Sequence, residues 1–307
     1  MQFAVPTRNH RSSPFMFSSV SRQLSRRRRP LYLVLGLLAI LFVALKLWGS
    51  GHGLMRPGDA PEVVLVTVLD RKKYSEEYLA KVIENRKEYA TAHGYGLFIR
   101  DSTEYDINDA PDGWARVPAT RHAMSVYSYS EWFWFLDQNS IIMNPSTKIE
   151  TTITAPKALG LWMRRDVPIV PPDSVIKTYR HTPPERINFI LTQDHDGLNP
   201  GSFLIRQGPW AKFFLDVWMD PMLKTYGFQK AEQMALEHIV QWHPTILVKL
   251  ALIPQKTINS YPTLPGQEGS YTEGDFVVHF QGCEAPERSC EKEFERFWES
   301  RGRALKR

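Results

Sequence analysis

The residues with the plainest chemical potential stand at the end of an apolar run. Trp132–Leu136 reads WFWFL and passes directly into Asp137-Gln138-Asn139. A continuous apolar stretch of this kind predicts a strand buried on both faces, in the middle of an α/β sheet. Residues 137 and 139 are two apart, so an extended backbone points both side chains the same way. A carboxylate and an amide oxygen placed there can hold a hard divalent cation. A strand that merely ends in a polar turn looks identical, so the weight falls on the rest of the chain.

Other candidates lie downstream. His279 sits in GDFVVHFQG, a late strand over 274–282, and Glu232-Gln233 opens a helix running to Trp242 before Pro244. Asn199 and Gly201 belong to LNPGSFLIR, a loop entering a strand, and Arg121 lies on a helix. Each has a plainer reading. His279 in a strand is equally a satisfied core histidine, and Glu232 a first-turn carboxylate favoured by the helix dipole. Arg121 is equally a surface charge. Trp132, Trp134 and Trp218 are expected in the core.

The elements that must position these residues follow from periodicity. Glu62–Leu69 predicts a first buried strand. Ser75 predicts an N-cap for an amphipathic helix over 76–91, with Glu76 and Glu77 in its first turn. Gly96–Arg100 predicts a second strand, so strand, helix and strand form a βαβ unit of a parallel sheet. Pro118 suits the first turn of a helix running to about Ser130. Residues 151–186 read as strands and loops broken by prolines. Pro209 opens a further helix, short apolar pieces stand at 252–254 and 258–261, and the charged tail over 284–307 docks a helix through Phe294, Phe297 and Trp298.

The chain of 307 residues carries a net charge of +5, but Arg8, Arg11, Arg22 and Arg26–Arg29 give residues 1–29 +7 with no acidic residue. The remainder is therefore about −2, which argues against nucleic acid as a partner. That leader is expected to be disordered. Leu31–Trp48 is apolar except for Lys46, and at 1.5 Å per residue it spans roughly 27 Å, close to a bilayer's hydrocarbon thickness. It is longer than the apolar region of a cleavable signal peptide. A mitochondrial leader is arginine-rich too, but amphipathic. A single-pass anchor over 30–48 fits best, with the arginine cluster keeping the N-terminus cytoplasmic and the body in the lumen. Residues 49–61 then form a stem and 62–307 the luminal domain. Cys283 and Cys290 leave two readings open, a short-loop disulfide or two free thiols. No Asn-x-Ser/Thr sequon with x other than proline is present.

Four segments in order, WFWFLDQNSIIMNPS, QDHDGLNPGSFLIR, EQMALEHIVQWHP and GDFVVHFQGC, resemble the galactosyl/mannosyl transferase family, glycosyltransferase family 34, over about Pro61 to Trp298. The fungal Golgi α-1,6-mannosyltransferase branch is the most similar. The resemblance implies a GT-A fold, one Rossmann-like α/β domain, behind the N-terminal transmembrane helix. It implies a retaining transfer from a nucleotide sugar, here GDP-mannose with Mn2+, to an α-1,6-linked position on N-glycan mannan. The enzyme would work at the Golgi membrane as a type II protein, in a hetero-complex with other mannosyltransferase subunits. Asp137, Asn139 and His279 fall on the metal ligands, and Glu232 and Gln233 on the acidic-Gln pair facing the reacting sugar. The donor-binding set is Thr67, Arg121, Asp137, Asn199, Gly201 and Gly282. Asp194-His195-Asp196 looks like a metal cluster but is expected to be a polar loop lining the acceptor groove. Two departures stand out: Asn139 replaces the family's second metal aspartate, removing a unit of negative charge, and Gln281 replaces a usual alanine. Two alternatives stay open, a non-catalytic subunit that scaffolds an active paralogue and an α-galactosyltransferase using UDP-galactose.

Overall fold

A computed structural model describes residues 58–171, 174–262 and 269–301. The basic tail 1–29, the anchor 30–48 and residues 49–57 of the stem lie outside the described residues. Among the described residues no helix is long and apolar enough to cross a membrane.

The core is a six-stranded mixed sheet in the order β2-β1-β3-β6-β5-β7. Its strands are β1 (Val63–Leu69), β2 (Gly96–Asp101), β3 (Trp132–Leu136), β5 (Phe189–Asp194), β6 (Gly197–Arg206) and β7 (Leu250–Ile253). β1 runs parallel to both β2 and β3, as a βαβ unit requires. The all-parallel expectation fails beyond β3, because β6 pairs antiparallel with both β3 and β5. The reason is the tight Asp194–Gly197 turn, which joins β5 directly to β6 as a hairpin, and a hairpin can only be antiparallel. β5 itself was not foreseen in the sequence.

β3 is buried at every position, and the pleat divides it between two layers. Phe133 and Phe135 pack with α2 (Arg116–Val126), α3 (Pro209–Trp218) and α4 (Ala231–Trp242), while Trp132, Trp134 and Leu136 pack with the far end of α1 (Glu76–His93) through Tyr89 and Ala90. Both faces being covered is why the strand shows no polar alternation. Ser75 caps α1 by accepting from the Tyr78 amide, and Gly94 ends it in the left-handed region at φ 66°.

A second, two-stranded sheet pairs β4 (Ser140–Ile142) with β8 (Val277–His279) antiparallel, and Ser140 lies opposite His279. The helix expected in the tail is α5 (Cys290–Trp298). It buries Phe294 against Tyr78 and Phe280, and a Cys283–Cys290 disulfide pins its first turn.

Candidate active site

The carboxyl ends of β1 and β3 and the start of α2 enclose a cleft of about 360 Å³. Asp70, Lys73, Asp112, Arg116, Asp137 and Asn139 are among its walls. Asp137 follows the last residue of β3. Its amide donates to the Gly201 carbonyl on β6 at 2.8 Å, which fixes the height at which the carboxylate leaves the sheet. Thr67 Oγ1 donates to the Leu136 carbonyl at 2.9 Å, so this donor-set candidate ties β1 to the end of β3 from a fully buried position.

The backbone is not extended past Leu136. Asp137 Oδ1 accepts from the Asn139 amide at 2.8 Å, closing an Asx turn. The two side chains therefore do not point the same way. Asn139 Oδ1 accepts from Tyr78 at 3.0 Å and its Nδ2 donates to the Tyr74 hydroxyl at 3.0 Å. Both amide atoms are thus engaged by tyrosines of the α1 layer. Burial, then the neighbouring Glu284 carboxylate, pushes the Tyr74 phenol well above its ordinary range, so it stays protonated.

Two arginines frame the turn. Arg86, fully buried on α1, donates through Nη2 to the carbonyls of Asp137 at 2.9 Å and Ser140 at 2.8 Å. Burial lowers its pKa to about 10, which leaves it charged at neutral pH. Arg116 Nη2 lies 3.2 Å from Asp137 Oδ2 and 3.4 Å from Glu232 Oε1. The three side chains form a nearly buried charged triad that brings α4 to the end of β3. Arg116 Nε also donates to the Gly113 carbonyl at 2.8 Å. A Cβ at Gly113 would stand 2.5 Å from Glu232 Oε2, so the close approach of this carboxylate requires glycine there. Arg121 sits elsewhere: its Nε pairs with Asp216 of α3 at 3.3 Å. Arg116 is the cation the sequence reading missed. The two lie five residues apart, so on a 3.6-residue helix they point roughly 140° from one another. The only signal in the sequence was a second arginine on the same helix.

His279 lies near enough to feel the charges of Asp137 and Arg116. Its Nδ1 bonds Asn259 Oδ1 at 2.8 Å, while Asn259 Nδ2 donates to Thr192 Oγ1 at 3.0 Å. The network therefore assigns the proton to Nδ1 and leaves Nε2 with a lone pair. Burial lowers its pKa to about 4; the Asp137 charge acts upward and Arg116 downward, so the ring is neutral at physiological pH. Gly201 packs directly on the ring: a Cβ there would stand 2.2 Å from His279 Cε1. Asn199 Oδ1 accepts from the Gly201 amide at 2.8 Å and its Nδ2 donates to Asp194 Oδ2 at 2.8 Å. Asp194 also accepts from Tyr261, so the Asp194–Gly197 turn, Asn199, Gly201 and His279 form one connected network.

Gln233 turns toward the same loop, donating to the Asp196 carbonyl at 3.2 Å and to Glu237 Oε1 at 3.4 Å. Lys230 joins it through the Asp196 carbonyl at 2.9 Å. Ala231 precedes the Glu232-Gln233 pair with φ at 43°, a left-handed backbone that a non-glycine residue adopts only under constraint. Gly282 provides the positive-φ turn after β8, at 70°.

Among the described residues no group of three His, Cys, Asp or Glu side chains could hold a metal. Asp137 supplies a carboxylate and His279 an unprotonated nitrogen. Asp137 follows β3 of the main sheet and His279 ends β8 of the second sheet, its ring packed on Gly201 of β6. Asn139 is held by the tyrosines instead: its Nδ2 donates to Tyr74, and its Oδ1 shares the single Tyr78 hydroxyl proton with the Gln138 carbonyl, which leaves that oxygen a lone pair.

Comparison with known proteins agrees with this architecture. Residues 59–291 match the profile of the galactosyl transferase GMA12/MNN10 family. An uncharacterized alpha-1,2-galactosyltransferase, C8D2.17 of Schizosaccharomyces pombe, is 35% identical over 253 residues, 80% of this chain and 76% of that protein. The probable alpha-1,6-mannosyltransferases MNN11 and MNN10 of Saccharomyces cerevisiae are 31% and 35% identical, over 74% and 66% of this chain and 59% and 54% of their own lengths. The chain thus spans from about half to three quarters of these relatives. A glycosyltransferase involved in glycosylation of the major capsid of PBCV-1 superposes with a TM-score of 0.56 at 16% identity, covering 77% of this chain and 98% of that one, which makes the mixed α/β fold similar to that of GT-A glycosyltransferases. With three quarters of its length inside the family profile, the chain belongs to the galactosyl transferase GMA12/MNN10 family and is a glycosyltransferase.

Proposed function

We propose that the protein transfers mannose, with retention, from GDP-mannose to an α-1,6-linked position on N-glycan mannan. The carrying observation is the convergence of Arg116 on Asp137 and Glu232 at the mouth of the cleft, with neutral His279 within reach of the Asp137 and Arg116 charges. When a sugar–diphosphate bond breaks, negative charge grows on the leaving oxygens and positive charge on the sugar. Arg116 is placed for the first: one unit charge at about 4 Å is worth roughly 4 kcal/mol at an effective dielectric of 20. Glu232 and the amide of Gln233 suit the second. Asp137 and His279 Nε2 would hold a Mn2+ ion together with phosphate oxygens, and the ion would act as a Lewis acid and clamp.

The cleft also suggests the donor base. Asp70 and Asp112 both line it. A carboxylate accepts the two adjacent N–H groups of a guanine edge, whereas uracil offers one. The apolar run at 31–48 behind an arginine cluster supports a type II anchor with the domain in the Golgi lumen, and work beside other mannosyltransferase subunits is what the family resemblance implies. A UDP-galactose donor is the second reading, favoured by C8D2.17, which is named a galactosyltransferase and matches over 80% of this chain.

The test is transfer from labelled GDP-mannose and UDP-galactose by the full-length protein, with Mn2+ and an α-mannoside acceptor, alone and with co-expressed partner subunits. Transfer only from UDP-galactose replaces the donor. No transfer from either, together with no nucleotide binding by calorimetry, establishes a non-catalytic subunit.

A further inference from the structure

A neutral imidazole offers a lone pair on only one of its two nitrogens, and the hydrogen bond made by the other decides which. Left free, the neutral ring favours its proton on Nε2, the nitrogen that a bound cation needs bare. In His279 the choice falls to two side chains on other segments of the chain. Asn259 Oδ1 lies 2.8 Å from His279 Nδ1, and Asn259 Nδ2 donates to Thr192 Oγ1 at 3.0 Å. Asn259 and Thr192 are both fully buried, so neither has water as an alternative partner.

The backbone holds both ends of this relay. Thr192 stands in β5, paired with Asn199 of β6 on one side and with Ile253 of β7 on the other. The β5–β6 register shifts between Leu191 and Thr192, the kind of irregularity that re-aims a side chain. Asn259 follows a short 3₁₀ turn over Gln255–Thr257, and its amide donates to the Gln255 carbonyl at 2.9 Å. The next residue, Ser260, is bonded to β8 twice. Its amide donates to the Val277 carbonyl at 3.0 Å, and its carbonyl accepts from the His279 amide at 2.7 Å. The freedom that remains is a half-turn of the Asn259 amide.

That half-turn would reverse the chemistry of the ring. With Oδ1 toward Nδ1 the amide accepts, and the proton sits on Nδ1. With Nδ2 toward Nδ1 the amide donates, and the proton must move to Nε2. In the observed arrangement Thr192 Oγ1 gives Nδ2 its acceptor and so keeps Oδ1 on the ring. Without that oxygen both amide hydrogens would be buried unpaired, and turning one of them to Nδ1 would relieve part of the cost. Resting on the reading of His279 as a metal ligand, we propose that Thr192 and Asn259 are positioning residues, a relay that keeps the His279 proton on Nδ1 and Nε2 bare for a divalent cation. Both act through His279.

The experiment uses full-length protein carrying ¹⁵N-histidine, as wild type, Thr192→Val, Thr192→Ser and the double variant Thr192→Val with Asn259→Asp. Long-range ¹H–¹⁵N correlation on the metal-free protein reads the tautomer, and His279→Gln identifies its signals among the nine histidines. Electron paramagnetic resonance of free Mn2+, with GDP or UDP present, reads the metal affinity. Wild type and Thr192→Ser should carry the proton on Nδ1. Thr192→Val should move it to Nε2 and weaken Mn2+ binding about 10–100-fold. The aspartate of the double variant has only acceptors for the ring, so it should return the proton to Nδ1 and restore the affinity, which repair of packing alone would not do. A wild-type proton on Nε2 overturns the proposal. So does a Thr192→Val protein with unchanged tautomer and affinity, or a Thr192→Ser protein as impaired as Thr192→Val. A tautomer that follows the relay in a protein that binds Mn2+ with neither nucleotide upholds the relay and overturns only the metal reading.

Discussion

Gly201→Ala tests whether His279 is held where the proposed chemistry needs it. Gly201 lies in β6, outside the left-handed region, so only the close approach is at stake. A Cβ would stand 2.2 Å from His279 Cε1 and 2.9 Å from both His279 Nδ1 and Asn199 Oδ1. Ordinary contact begins at 3.4 Å, so the ring or the strand must retreat by about 1.2 Å. The ring cannot swing freely: it is 4% exposed and tied to Asn259. The strand cannot shift freely either, because the Gly201 carbonyl holds the Asp137 amide. Overpacking of this kind costs roughly 1–3 kcal/mol. A displacement of about 1 Å at a reacting centre lowers the rate on the order of a hundredfold. The assay is transfer rate beside urea unfolding, since the rate should fall far more than the lost stability explains. A Gly201→Ala protein with wild-type rate and wild-type unfolding would refute the reasoning, because it would mean that His279 is mobile and its position irrelevant.

Three further outcomes follow from buried groups. Arg86→Met leaves the Asp137 and Ser140 carbonyls without their donor, and at about 1–3 kcal/mol for each unpaired group the loss should be about 2–6 kcal/mol in urea unfolding. Glu237 is raised above its ordinary 4.5 chiefly by burial, against the Leu198 amide and Gln233. The folded state therefore binds that proton more tightly than the unfolded one, so its contribution is most favourable below 4.5 and is lost as pH rises through the folded pKa. Glu237→Gln should flatten this limb of the melting temperature measured against pH, and an unaltered slope would exclude Glu237 as its source. Replacing Cys283 and Cys290 by alanine opens a loop whose ends are 7 residues apart; chain entropy puts the loss at about 2.5 kcal/mol, read by thermal unfolding.

Much of the frame was legible in the sequence because it rests on local periodicity. The WFWFL run fixed a central strand buried on both faces, and α1 with its Ser75 cap and α4 before Pro244 appeared within a few residues of their positions. The chain order of Asp137, Gly201, Glu232 and His279 also named the segments that the fold gathers at one corner. The cysteine pair left bridged and free forms equally open, and only the approach of α5 decided for the bridge.

What the tertiary structure alone decided is orientation. Periodicity places a residue on an element but not the rotation of that element against the sheet, so Arg116 and Arg121 could not be ranked until α2 docked. The Asx turn at Asp137 is a competition between side-chain and backbone hydrogen bonds. Its outcome sends Asn139 to Tyr74 and Tyr78, which lie more than sixty residues away in the chain. The mixed sheet likewise depends on a hairpin whose first strand carries too short an apolar run to announce itself. Composition and spacing determined which residue types were available for chemistry; long-range packing determined which of them face one another, because that is set by contacts no local pattern encodes.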